Sequence, residues 1–132
     1  PAEIGRLKKL EKLHIAGNSF TALPTEIGGL TSLKKLVLVN TPVRELPAEI
    51  GNLTELEELD IHSLPLETLP AEIGDLANLQ ELSIIGVPLK TLPAEMGKLS
   101  RLTKLNIRKA DHQRLRTYIE QLPNLEIRYI PR

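Results

Sequence analysis

The chain has 132 residues, enough for one domain with a sizeable core, and seventeen basic residues balance seventeen acidic ones. That balance directs no global field at nucleic acid or an anionic membrane, and three aromatic residues (Phe20, Tyr118, Tyr129) leave base stacking little to use. Cysteine is absent, which excludes disulfides, thiolate zinc sites and cysteine nucleophiles within these residues and fits a reducing compartment.

An internal repeat orders everything that follows. Leu-Pro recurs at Leu23-Pro24, Leu46-Pro47, Leu69-Pro70 and Leu92-Pro93, a step of 23 residues. Leu10, Leu33, Leu56, Leu79 and Leu102 keep that step, as do Leu13, Leu36, Leu59, Leu82 and Leu105. So do Ile15, Leu38, Ile61, Ile84 and Ile107, and then Gly28, Gly51, Gly74 and Gly97. Such self-similarity marks a stacked repeat architecture.

Taken in chain order, Pro1 to Gly5 aligns with Pro24 to Gly28, so residues 1–9 read as a partial repeat. Ile4, Leu7 and Leu10 are then expected to face a missing neighbour, with a cap or another domain upstream of Pro1. Residues 10–110 carry the full units. In each, a stretch such as Leu36-Val37-Leu38 alternates by two, predicting a strand with one buried face. Leu46, Ile50 and Leu53 then follow at i, i+4 and i+7, the stripe of a short helical return. Pro47 suits the first helical position, Glu49 the positive helix end, and Gly51 a left-handed residue that ends the turn. One unit cannot bury its own leucines, so units must stack with strands ~4.8 Å apart in a parallel sheet. Residues 111–132 break the pattern and read as a C-terminal helix-strand cap. Asp111 is expected to cap a helix with Leu115, Ile119 and Leu122 on its buried stripe, and Pro123 follows it. Leu125, Ile127 and Tyr129 alternate with Glu126 and Arg128 in a charged edge strand.

The segment LEKLHIAGNSFTALPTEIGGL (10–30) resembles the leucine-rich repeat family, whose motif is L-x-x-L-x-L-x-x-N-x-L-x-x-L-P-x-E-I-G-x-L. The resemblance covers essentially the whole chain as a single domain. It implies an α/β solenoid: a horseshoe with a concave parallel β-sheet, usually the binding surface, and short helical or 3-10 segments on the convex side. The LPxEIGxL form is similar to Ras-pathway scaffolds, plant intracellular Ras-group proteins, bacterial secreted effectors and the repeat regions of plant immune receptors. One departure stands out. The family's ladder asparagine occurs at Asn18, whereas the equivalent positions hold Thr41, Leu64, Val87 and Ala110, three of them followed by Pro42, Pro65 and Pro88. Losing a hydrogen-bonded amide costs ~0.5–1.5 kcal/mol, while burying Leu or Val returns ~1.5–3 kcal/mol. An aliphatic ladder stiffened by proline is therefore expected.

The outward strand positions are the candidate partner-binding face. Their first row reads Lys12, Lys35, Glu58, Glu81, Lys104; the second His14, Val37, Asp60, Ser83, Asn106; the third Ala16, Val39, His62, Ile85, Arg108. Val37, Val39 and Ile85 are expected to face solvent as an apolar island inside a charged rim, as at the centre of a protein interface. Asp60, His62 and Ser83 mimic a hydrolase triad, but an open sheet offers no obvious oxyanion hole and residues i and i+2 stand ~7 Å apart along a strand. His14 and His62 lie two strands apart, too far to share a metal. The sequon Asn52-Leu53-Thr54 contains a leucine the repeat already explains, so it reads as incidental. No P-loop or nucleophile elbow is present.

These residues lead to a non-catalytic module that binds a protein partner on its sheet face, with no catalytic residues, metal, cofactor or small-molecule substrate expected. Nucleic-acid binding and membrane insertion are not expected either, because no apolar run approaches the ~20 residues a bilayer span needs. With no signal peptide visible, a cytoplasmic chain or one secreted into a host cell is favoured. The alternatives are the targeting region of a larger effector, immune receptor or signalling enzyme, and an engineered or purely structural scaffold.

Overall fold

The inward leucines and isoleucines dictate the architecture, because each unit can hide them only against its neighbours. The computed structural model describes residues 2–17, 21–122 and 125–130. Within them, six strands pair in parallel and in chain order: β1 (Lys12–Ala16), β2 (Lys35–Val39), β3 (Glu58–His62), β4 (Glu81–Ile85), β5 (Lys104–Ile107) and β6 (Glu126–Tyr129). Behind the sheet lie 3-10 helices at Ala2–Arg6, Thr25–Gly29, Ala48–Asn52, Ala71–Asp75 and Ala94–Lys98, each packed on the next. Between the layers Leu36, Leu38, Leu59, Ile61, Leu82 and Leu105 are fully buried, with Ile27, Ile50 and Ile73 closing the core from the convex side. Each such side chain stabilises the fold by roughly 1.5–3 kcal/mol.

The return segments keep the short 3-10 form that the resemblance implies and differ from the expectation in two ways. They are 3-10 throughout, because five residues must turn between two anchored leucines; Ile50 N–H bonds to Pro47 O at 3.0 Å and Leu53 N–H to Ile50 O at 3.2 Å. Pro47 is the N-cap rather than the first helical residue, its backbone extended at φ −70° and ψ 153°. Gly51 is not left-handed. A Cβ there would stand 2.9 Å from the carbonyl oxygen and 3.0 Å from the Cβ of Glu72 in the next unit. The glycine exists for close stacking, and Gly28 meets Glu49 in the same way.

The left-handed residues lie instead where β1 to β4 end: Gly17 (φ 64°), Asn40 (52°), Ser63 (57°) and Gly86 (68°). Three of them prolong the ladder, with Gly17, Asn40 and Ser63 N–H groups bonding to the carbonyls of Val39, His62 and Ile85 at 3.1, 3.0 and 2.9 Å.

Leu64 and Val87 are buried in the ladder positions, and Val43, Leu66 and Leu89 behind them are fully buried. Asn18 lies outside the described residues, as do Phe20, Pro123 and the first and last residues. Ala110 leaves the ladder altogether and is exposed in helix α1 (Lys109–Arg114). Asp111 does not cap that helix. The chain leaves the sheet one residue earlier than expected, Arg108 becomes the N-cap, and Asp111 Oδ1 instead accepts from Arg114 Nη1 at 2.8 Å. Leu115, at φ −100° and ψ 9°, separates α1 from α2 (Arg116–Ile119), and Leu115 and Ile119 fill the core as their spacing predicts. Tyr129 is 47% exposed rather than inward, its hydroxyl 3.2 Å from His112 Nδ1.

Candidate functional site

Parallel pairing without slippage sets the three outward rows side by side. Lys12, Lys35, Glu58, Glu81 and Lys104 are consecutive partners, as are His14, Val37, Asp60, Ser83 and Asn106. Ala16, Val39, His62 and Ile85 make the third row, with Arg108 just beyond the end of β5. The first row therefore runs basic at β1 and β2, acidic at β3 and β4, and basic again at β5. Lys35 Nζ lies 3.4 Å from Glu58 Oε2 across the first charge boundary. Lys12, His14 and Ala16 are exposed, and Lys12, Leu13, His14, Lys35 and Val37 line a shallow depression there.

The apolar island is smaller than the sequence suggests. Val37 and Val39 are half-buried on β2, but Ile85 is only 6% exposed. Ile85 sits between His62 and Arg108, and the Arg108 guanidinium reaches back past it to Gly86. The aliphatic stem of such an arginine covers apolar surface while its head stays polar. Ser83 and Asn106 are also buried, at 5% and 8%. The Asn106 amide donates to Glu81 Oε2 at 2.7 Å and Ser83 Oγ at 2.8 Å, so both side chains are spent on the protein itself.

This network also decides the triad. Ser83 is engaged by Asn106 and lies against Asp60, not against His62. Asp60 is pushed from 3.8 up to about 7, first by burial, then by hydrogen bonding and charge repulsion from Glu58, with Ser83 and Lys35 opposing. At about 7 the Asp60 carboxyl is partly protonated near neutral pH, which makes it a poor charged acceptor for an imidazole. His62 is held below the ordinary histidine value of 6.5 by burial and by the Arg108 charge. Among the described residues no group of three or more His, Cys, Asp or Glu side chains could hold a metal ion. No helix among them is long and apolar enough to cross a membrane.

Sequence reasoning overlooked two kinds of residue. The Gly17, Asn40, Ser63, Gly86 column was visible, since its members favour or tolerate left-handed backbone at the repeat's own step. Arg114 gave no signal. Its Nε donates to Leu89 O at 2.7 Å and its Nη2 to Val87 O at 3.3 Å, supplying donors to the ladder loop from outside the repeat.

Among solved structures, a leucine-rich repeat protein of Leptospira interrogans is 36% identical, with a TM-score of 0.84, over 98% of this chain and 33% of its own. The plant peptide hormone receptor RGFR1, in complex with RGF2, is 30% identical, with a TM-score of 0.76, over 96% of this chain and 21% of its own. The leucine-rich repeat domain of the type III effector XopL shares the fold at 22% identity and a TM-score of 0.54, over 99% of this chain and 72% of its own. The chain thus spans a third or less of the first two structures. Comparison with curated proteins finds no match. A family model described as a leucine-rich repeat region matches residues 1–68, and with the stacked strand-and-turn units of the sheet it shows that this chain belongs to the leucine-rich repeat family, whose fold is typical of protein-interaction modules.

Proposed function

We propose that this chain is a non-catalytic recognition module that binds a protein partner on the concave face of its sheet. The observation that carries this reading is the patterned outer surface: half-buried Val37 and Val39 beside a basic–acidic–basic row, all on one rigid sheet. Apolar centres within charged rims are where interface energy concentrates. Lys12, His14, Lys35, Val37, Val39, Glu58, Asp60, His62, Glu81, Lys104 and Arg108 make the contacts. Ser83, Asn106 and Ile85 support them from beneath. Residues 111–132 act as the cap of this end of the stack. The similarity to RGFR1, a plant peptide hormone receptor solved in complex with RGF2, supports a binding role.

A second reading follows from length. Because the chain spans 33% and 21% of two similar structures, it can serve as the targeting region of a larger receptor, effector or signalling enzyme. The test of the first reading is capture of a partner by the wild-type protein and by Val39→Arg. Loss of capture with an unchanged circular-dichroism melt supports it; retained capture removes it. Ile85→Arg is unsuited to that test, since it places a charge in a nearly buried position.

A further inference from the structure

The left-handed turn at Gly86 carries no side chain, at the rim where β3, β4 and β5 end. The point where a Cβ would stand on Gly86 is 3.4 Å from Arg108 Nη1, 3.4 Å from Arg108 Nη2 and 3.4 Å from Ser63 Oγ. Three donor atoms thus converge beside the Gly86 Cα, where any other residue would place its Cβ. Arg108 Nε is buried without a hydrogen-bond partner, and among the described residues the Arg108 guanidinium makes neither a hydrogen bond nor an ion pair. A guanidinium with no acceptor is an expensive thing to hold partly buried. Beside it burial and the Arg108 charge disfavour the protonated ring of His62, and Ile85 beneath lowers the local dielectric.

We infer that Arg108, with Ser63 and His62, forms an anion-binding notch over Gly86 that receives a carboxylate from an acidic segment of the partner. Because Gly86 carries no side chain, nothing of its own stands between these donors and an oxygen approaching over its Cα. The planar guanidinium presents two N–H groups to the two oxygens of a carboxylate, a fork a lysine cannot offer. Lys104 is paired in register between Glu81 and Glu126, so the unpaired Arg108 guanidinium is what favours an acidic partner segment here. This inference rests on the concave-face reading for its partner, but its test uses small anions and stands apart from partner capture.

His62 reports occupancy. The groups around it are Asp60 on its own strand and Arg108 beyond β4, while Val39, Ser83 and Ile85 from the flanking strands carry no charge. An anion that neutralises Arg108 removes one of the two causes that hold the imidazole down, so the His62 titration midpoint rises. The experiment follows the three histidines by NMR while capped aspartate (N-acetyl-aspartate amide) is added, with capped asparagine as the uncharged comparison. The inference predicts a saturable upward shift at His62, none at His14 or His112, none with capped asparagine, and none in Arg108→Gln. Ser63→Ala, which keeps the charge, weakens the response. Equal shifts at all three histidines, or an unchanged shift in Arg108→Gln, overturn the site. A response to inorganic phosphate with none to capped aspartate overturns the carboxylate assignment.

Discussion

Asp60 holds its proton far above the ordinary carboxyl range because burial and the neighbouring Glu58 both penalise its charge. Its folded value, about 7, lies above the unfolded value of 3.8, so between these limits the native state binds more protons than the unfolded state. Stability from this group is therefore fully present below about 4 and declines as pH rises through about 7. Asp60→Asn removes that decline. Urea denaturation at pH 5 and pH 8 should show the variant gaining on the wild type as pH rises, and a pH-independent difference would contradict the assignment. Ser63 is the second residue under tension. It holds φ 57° without the side-chain amide that eases Asn40 into the same region. Ser63→Gly is expected to stabilise the protein by about 0.5–1 kcal/mol, the relief of strain exceeding the added chain entropy. A lower denaturation midpoint in the glycine variant would show that the hydroxyl contributes more than the strain costs.

Glycines of the same column do different work according to what stacks on them. A Cβ on Gly51 would stand 2.9 Å from the Glu72 carbonyl oxygen, whereas one on Gly97 meets nothing within 4 Å, because α1 and α2 replace the next 3-10 turn. Gly51→Ala should cost about 1–3 kcal/mol through overpacking, and Gly97→Ala should be neutral or stabilise by up to ~1 kcal/mol. The pair, compared by thermal melts, separates stacking from backbone freedom: equal losses would restore the left-handed role expected from sequence. Arg114 joins the C-terminal helices to the ladder loop through the carbonyls of Val87 and Leu89. Arg114→Met is predicted to cost ~1.5–3 kcal/mol, the range for hydrogen bonds to charged groups. Hydrogen exchange at Leu89 and Lys90 should quicken in that variant, and unchanged exchange would detach Arg114 from the loop.

Strand positions and the inward rows were legible because a buried face imposes a period of two and stacking imposes a common step. Three properties were not. A glycine reserved for close approach looks the same in sequence as one reserved for a left-handed turn, so Gly51 was misassigned and the Ser63 column missed. Outward register does not mean exposure either: Ile85, Ser83 and Asn106 point to the concave side and are covered by Arg108 or by their own hydrogen bonds. Arg114 acts across the end of the repeat, where no periodic signal reaches.

At the scale of the whole molecule, one continuous core fixes six strands into a rigid surface whose first row, ending on Glu126, changes sign three times. Rigidity keeps binding costs low, because little is ordered on association, and the alternating row gives a partner one register along the sheet. Partner affinity should fall as ionic strength rises, since the rim charges stand in solvent. The central claim concerns which face does the binding. Once a partner has been captured with the wild-type protein, its affinity should be measured by calorimetry for Val39→Arg on the concave face and Lys98→Glu on the convex side. Val39→Arg is predicted to weaken binding by at least about thirty-fold, the effect of losing an interface hot spot, with Lys98→Glu close to wild type. Wild-type affinity in Val39→Arg, or a comparable loss in Lys98→Glu, would contradict the assignment of function to the concave sheet.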